Sequence, residues 1–236
     1  MPVHIWLKQI VVWIAANFGK DLVVAAKDWL QHKWRGLFAS RNILVLGSKQ
    51  TGKTSLFVLL RDGRPFEVVD GEIRAPNPTA AVAIVDKKFP LQHGNWLKLK
   101  RDVPGDLDLR ATWAQTINDV RPQGIIYMLD GRLNDKQLRV ETSMIRENVL
   151  RHYVDSLGEL RTLHVFLNFA DAWATSPTVV RSKVRVVTEE LERVLDGSSA
   201  LQHLRVGVSS TQLSPHKKSW EEATRAVYKF GADLAD

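Results

Sequence analysis

Hydrophobic positions along the chain follow two different rhythms. In residues 1–38 they recur at helical spacing, as Trp6, Ile10 and Trp13 and then Leu22, Ala26, Trp29 and Leu30, with Gly19 as a break between the two runs. From Arg41 onward, short unbroken apolar runs alternate with longer amphipathic stretches. The runs predict strands over Asn42–Leu46, Ala80–Asp86, Asn95–Asp102, Gly124–Leu129, Leu163–Phe169 and Leu204–Val208. The stretches predict helices over Lys53–Arg61, Leu109–Val120, Lys136–Ser156, Val179–Leu195 and Ser219–Leu234. His93-Gly94 reads as a hairpin turn, and Asp62–Thr79, rich in Gly and Pro, predicts no regular element. Strands that are apolar on both faces and separated by helices imply right-handed crossovers and a mostly parallel sheet with helices on both faces. The fold class is therefore α/β: one domain over residues 39–236, preceded by an amphipathic helical appendage over 1–38.

Composition narrows this picture only a little. A chain of 236 residues with 44% hydrophobic and 25% charged residues is ordinary for a globular domain. The absence of cysteine excludes disulfides, thiolate zinc sites and a cysteine nucleophile, and fits a reducing, cytoplasmic setting. The seven histidines show no metal-ligand spacing.

Charge matters more once it is located. Of the net +7, residues 1–41 carry +4, from Lys8, Lys20, Lys27, Lys33, Arg35 and Arg41 against Asp21 and Asp28. Four of the eight tryptophans, at positions 6, 13, 29 and 34, lie in the same stretch. Tryptophan beside lysine suits a membrane–water boundary. The uncharged run Gln9–Gly19 has eleven residues, short of the roughly 17 to 25 needed to cross a bilayer. A membrane surface and packing on the domain or on a second copy of the chain both explain such a helix. The basic pairs elsewhere, such as Lys87-Lys88, read as solvated faces, so nucleic acid is not the expected partner.

The chemistry begins where the first strand ends. Gly47, Gly52, Lys53 and Thr54 satisfy G-x-x-x-x-G-K-[ST] between an apolar run and a helix. Such a loop wraps the β-phosphate with backbone N–H groups, bridges β- and γ-phosphates with the lysine and offers the threonine hydroxyl to Mg²⁺. The nucleotide-binding candidates here are Gly47, Ser48, Lys49, Gln50, Thr51, Gly52, Lys53, Thr54 and Ser55. The strand over 95–102 runs into Asp102-Val103-Pro104-Gly105, a D-x-x-G, which places Asp102 beside the metal and the Gly105 N–H near the γ-phosphate. The strand before Asn168 runs into Asn168-Phe169-Ala170-Asp171, an N-x-x-D whose carboxylate can accept from N1–H and the 2-amino group of guanine. Adenine offers no such pair of donors. Ser209-Ser210 follows the next strand, where a small turn can give a backbone N–H to guanine O6. Each motif alone can be a turn or cap. Their shared order, each at the C-terminal end of a strand, is what open parallel sheets use to bind ligands.

These residues resemble the small Ras-like GTPases, nearest to the Arf/Sar group and the signal recognition particle receptor β subunit. The resemblance spans about residues 41–236 and rests on LGSKQTGKTSLFVLL, DVPGDLDLR, YMLDGR and Pro78-Thr79. It implies a P-loop NTPase fold of the Ras-like type, with GTP and GDP as ligands and Mg²⁺ held by Thr54, Thr79 and Asp102. It also implies switch loops read by an effector protein and an N-terminal helix that serves as a membrane element. Two positions depart from the pattern. Phe169 stands where the family carries lysine, and Asp106 stands where a glutamine commonly orients the attacking water. A carboxylate facing the γ-phosphate repels it, so the sequence predicts slow or partner-assisted hydrolysis. The alternatives are a scaffold that holds GTP without hydrolysing it and an ATP-using P-loop enzyme, for which the sequence lacks an arginine-rich lid.

Overall fold

The computed structural model describes residues 40–62, 64–77, 83–90, 96–105, 111–153, 160–195, 203–211 and 220–235. The predicted appendage over 1–38, Thr79, the His93-Gly94 turn and Asp106 lie outside them. Chain order is β1 (Ser40–Gly47), α1 (Lys53–Asp62), β2 (Glu67–Val69), β3 (Glu72–Arg74), β4 (Ala83–Pro90), β5 (Trp96–Asp102), α2 (Ala111–Val120) and β6 (Gly124–Asp130). Then follow α3 (Asp135–Asn148), a 3₁₀ turn (Leu150–Tyr153), β7 (Thr162–Asn168), α4 (Ala170–Trp173), α5 (Pro177–Val194), β8 (His203–Val208) and α6 (Glu221–Ala235).

Six strands form one sheet in the order β4-β5-β1-β6-β7-β8. All neighbours are parallel except the edge strand β4, which runs antiparallel to β5 with a register shift between Ile84 and Lys87. The alternation of side chains explains why the strands read as continuous apolar runs. Leu44 and Leu46 of β1, Ile125, Tyr127 and Leu129 of β6, and Leu163, Val165 and Leu167 of β7 face Trp113 of α2, Leu138 and Ile145 of α3, and Val187 and Leu191 of α5. Their neighbours Ile43, Val45, Ile126, Met128 and Phe166 face the other way, onto Leu56 of α1 and Val227, Phe230 and Leu234 of α6. Both faces are covered, as a parallel sheet requires.

Local chemistry sets the helix ends. Asn134 and Gln137 close a reciprocal capping box at the start of α3. Ser176 caps α5, and Pro177 occupies its first turn, where a missing N–H costs nothing.

Three expectations need correction. The helix predicted to run to Ser156 stops at Asn148, and the chain tightens into the 3₁₀ turn, because Val149 leaves helical geometry with φ −127° and ψ −67°. The segment Asp62–Thr79 carries the small antiparallel hairpin β2–β3 instead of being without structure. Its turn residues Asp70 and Gly71 both take positive φ, 53° and 81°, the geometry that Asp-Gly supplies to a tight hairpin. The edge strand, described from Ala83, runs on to Pro90 and does not end at Asp86, while residues 80–82 of its predicted start lie outside the described residues. Among the described residues, no helix is long and apolar enough to cross a membrane.

Candidate functional site

The loop after β1 bends with Gln50 and Gly52 at positive φ, 61° and 91°. It delivers Lys53 as the first residue of α1, with its side chain buried. Ser48 is the hub of this loop. Its carbonyl accepts from Lys53 Nζ at 2.7 Å and from Thr51 Oγ1 at 2.9 Å, while its hydroxyl donates to Glu141 on α3. Lys53 is thus held inside the curve of the loop by its own backbone, its charge facing the space the turn encloses. Lys49 and Gln50 lie exposed at the tip, and Thr54 and Ser55 are half-buried on the first turn of α1.

The segment after β5 closes over this loop. Val103, Pro104 and Gly105 are buried, and Pro104 O accepts from Trp113 Nε1 at 2.8 Å, which fixes the segment to α2. A Cβ on Gly105 would come within 2.6 Å of the Ser48 carbonyl carbon and 2.7 Å of Gly47 O, and would also strike Lys53 Nζ. Glycine is required there because the two loops touch.

The side of the site toward β8 is built on Asn168, the last residue of β7, fully buried. Its amide nitrogen donates to Thr51 O at 2.9 Å and to Thr211 Oγ1 at 2.8 Å, and its amide oxygen accepts from Ser209 Oγ at 3.1 Å. One side chain therefore ties the phosphate loop to the loop after β8. A Cβ on Gly52 would collide with that amide, so the second glycine of the motif makes room for Asn168. The Asn168 carbonyl accepts from Trp173 Nε1 at 2.7 Å and Gly131 N at 3.1 Å, which binds in α4 and the end of β6.

Phe169 then takes left-handed geometry, φ 60° and ψ 37°, and turns the chain into α4. This brings Asp171 to the surface, where Oδ1 accepts from Ser210 Oγ at 2.6 Å. Over the Phe169 ring lies the Arg132 guanidinium, 4.1 Å from the centroid. Arg132 is clamped by Asp130, with Nε to Oδ1 at 2.9 Å and Nη2 to Oδ2 at 2.7 Å. That hydrogen bonding raises the Arg132 pKa above its usual value, and the charge of Asp171 adds to it.

The structure brings Gly47 to Ser55, Gly105, Asn168, Phe169, Asp171, Ser209 and Ser210 to one end of the sheet, outside the C-terminal ends of β1, β5, β7 and β8. This is where strand order reverses about β1. Asp102 closes β5 on the same edge. A hydroxyl from Thr54 and a carboxylate at the end of β5 are hard oxygen donors, the kind Mg²⁺ takes. Among the described residues, no group of His, Cys, Asp or Glu is clustered to hold a metal by protein ligands alone. Sequence reasoning missed Thr211, Glu141, Arg132 and Asp130. Asp130 and Arg132 lie in the YMLDGR segment but had no site role assigned from it, Thr211 and Glu141 lie in no motif, and only the fold carries Glu141 and Arg132 to the loops they touch.

The family model of the signal recognition particle receptor beta subunit matches residues 39–157, just over half of the chain. No curated protein matches the sequence. Among solved structures, the mammalian SRP receptor superposes with a TM-score of 0.55 at 18% identity, covering 80% of this chain and 100% of that one. A GTP-binding protein from the archaeon Sulfolobus solfataricus, in complex with GDP, gives 0.53 at 16% identity and covers 97% of this chain. This chain spans 64% of that protein's length. The Arl6 small GTPase of Trypanosoma brucei, with the nucleotide analogue GppNp, gives 0.51 at 13% identity, covering 82% and 99%. At these identities the superpositions show a shared fold, that of the Ras-like P-loop GTPases.

Proposed function

This chain belongs to the signal recognition particle receptor β-subunit family of small GTPases, and from that premise we propose that it is a guanine-nucleotide switch. In this reading, Gly47–Ser55 cradle the phosphates of GTP or GDP, and Asp171 with the Ser209-Ser210 turn reads guanine. Thr54, Thr79 and Asp102 hold Mg²⁺, which screens the phosphate charge. Thr79 and Gly105 sense the third phosphate, and the segments carrying them change shape for an effector protein. The observation that carries the proposal is the Asn168 side chain, which joins the phosphate loop and the base loop into one continuous rim. Two comparison structures support a purine nucleotide ligand, since one is a GDP complex and one holds GppNp.

The test is the identity of the nucleotide that co-purifies with the protein, followed by displacement with GTP and ATP. GDP or GTP in the preparation, displaced by guanine nucleotides alone, supports the reading; equal displacement by ATP sinks it. Asp171→Asn should turn preference toward xanthosine nucleotides, because the amide offers a donor where the carboxylate offered acceptors.

Asp106 favours a second reading, a scaffold that keeps GTP bound. An unassisted Ras-like site turns over at about 10⁻⁴ to 10⁻³ s⁻¹. Single-turnover hydrolysis at or below that rate, unchanged by cell extract, selects the scaffold. The proposal extends to a membrane surface through residues 1–38. The intact chain should float with anionic liposomes in preference to neutral ones, more weakly in salt, and removal of residues 1–38 should end flotation. If the intact chain ignores liposomes, that segment is a packing or dimer element.

A further inference from the structure

At the base end of the site, the Phe169 ring, the Arg132 cation and the carboxylates of Asp130 and Asp171 meet, and of these the motifs assign a base contact to Asp171 and leave Arg132 and Asp130 without one. Phe169 is half-buried, its left-handed backbone turning it out of the β7 strand between Asn168 and Asp171. The Arg132 guanidinium lies on the ring at 4.1 Å. An arginine side chain that is 52% exposed would ordinarily sample many rotamers, but this one is fixed by its own carboxylate. Arg132 N and Nε both donate to Asp130 Oδ1 at 2.9 Å, and Nη2 donates to Oδ2 at 2.7 Å. Asp130 is in turn the last residue of β6, paired with Asn168 across the sheet. The stack is therefore mounted on two rigid strand ends and stands beside Asp171, the carboxylate that meets the base edge.

A planar heterocycle whose edge meets Asp171 needs a flat surface over its face, and a guanidinium on a phenyl ring is such a surface with a positive charge built in. We infer that Arg132 and Phe169 act as one stacked cover for the purine, with Phe169 supplying the ring, Arg132 the cation and Asp130 the clamp that holds it. The inference rests on the nucleotide-binding reading and deepens it by naming Arg132, to which the resemblance assigned no contact, as a residue that sets base affinity. Lysine at position 169 would supply an alkyl stem and a cation from one side chain. The two arrangements are thus alternatives, and this predicts a rescue.

The experiment is a double-mutant cycle on the full chain, read as affinity for GDP and for GTP by equilibrium dialysis, with melting curves to verify folding. Arg132→Ala should weaken both nucleotides by about tenfold, and by the same factor for each because the stack is remote from the third phosphate. Phe169→Lys should stay within about threefold of the unaltered protein, and Arg132→Ala combined with Phe169→Lys should also return to within about threefold. A merely structural arginine would not be rescued by a lysine at another position. Arg132→Ala binding like the unaltered protein, a double variant showing the product of the two single losses, or a loss confined to GTP each overturns the inference. If the unaltered protein binds no guanine nucleotide, the functional reading falls as well. If it binds and the cycle is additive, only the stacked cover falls.

Discussion

Strand β7 buries a polar side chain at each end of one stretch, and the two are put to different uses. His164 and Asn168 are 2% and 0% exposed, and both obey the rule that a buried polar group must find partners. His164 Nε2 meets Asp233 on α6 at 2.9 Å, and Asp233 also accepts from Arg205 on β8. Phe166 and Phe230 pack edge-on to the imidazole. All of that network belongs to the packing of the C-terminal helix on the sheet. Asn168 instead reaches three points on two loops, Thr51, Ser209 and Thr211, that have no helix or strand to hold them. Burial of a polar group therefore does not mark a site; what marks it is a network that holds loops at an open edge. Near His164 a fault should cost stability alone, and near Asn168 stability and ligand together.

The sharpest break in that division is at the phosphate loop. Lys53→Ala should weaken GTP by about a hundredfold or more, the loss of a charge-assisted bond of roughly 3 kcal/mol, while the domain stays folded. Melting curves with and without GTP check this, because ligand raises stability by RT ln(1 + [L]/Kd). A GTP-dependent shift as large as that of the unaltered protein would remove Lys53 from the site. Next in size is Asn168→Ala, which leaves Thr51 O, Thr211 and Ser209 short of a partner. It should cost about 2 to 3 kcal/mol of stability and lower nucleotide affinity in the same variant. Loss of stability with affinity intact would make Asn168 a second His164.

At the other end of β7 the expected effect is on pH. Burial pushes the His164 imidazole down to about 4, in spite of the Asp233 carboxylate beside it, with Arg205 and Lys229 pushing the same way as burial. The imidazole is neutral in the folded protein, so Nε2 carries the proton it donates to Asp233. Between its ordinary value of 6.5 and about 4 the unfolded chain binds a proton that the folded chain refuses. Stability thus rises with pH across that window, by about 2 kcal/mol between pH 5 and pH 7, and is flat above it. Burial works to raise the Asp233 pKa, yet the Arg205 hydrogen bond and His164 prevail and lower it, so this carboxylate adds its own loss only at more acid pH. His164→Gln keeps a neutral donor and removes the titration. Its unfolding free energy should flatten between pH 5 and 7 with GTP affinity unchanged. If the slope persists, the titration belongs elsewhere.

How far each region could be read from the sequence follows the same division. The sheet was legible because both of its faces are buried and its strands are written as apolar runs, and the loop of Gly47–Thr54 because its G-x-x-x-x-G-K-[ST] spacing is a motif that sits between a strand and a helix. Asn168, Asp171, Ser209 and Ser210 were legible in the same way, by position after strands. The β2–β3 hairpin was not, since Val68, Val69 and Ile73 are exposed and each strand has only three residues, too short for periodicity to register. The Asp70-Gly71 pair was its one local signal. Glu141 and Arg132 were illegible for another reason. Glu141 meets Ser48 across 93 residues, and nothing in a helix pattern says which loop its surface will meet, while Arg132, in the turn after β6, meets Phe169 only because β6 and β7 pair side by side.

The smallest expected effect refines the base wall. Ser210 is buried and its hydroxyl holds Asp171 Oδ1 at 2.6 Å, so it fixes the orientation of an exposed carboxylate. Ser210→Ala removes that aim and nothing else, since its backbone N–H is untouched and alanine fits the space of serine. One hydrogen bond to a charged group at a half-open site contributes about 1 to 2 kcal/mol, so GTP and GDP should each bind roughly fivefold to thirtyfold more weakly. Preference for guanine over adenine should remain, because Asp171 still carries both acceptors. The measurement is competition of GDP, ADP and inosine diphosphate on this variant. Inosine lacks the 2-amino group and so meets only one of the two carboxylate oxygens. If Ser210 orients Asp171, the variant should narrow the gap between GDP and inosine diphosphate, with binding of the latter changed least. An equal loss for all three would mean that Ser210 supports the loop after β8 and leaves the reading of the base to Asp171 alone.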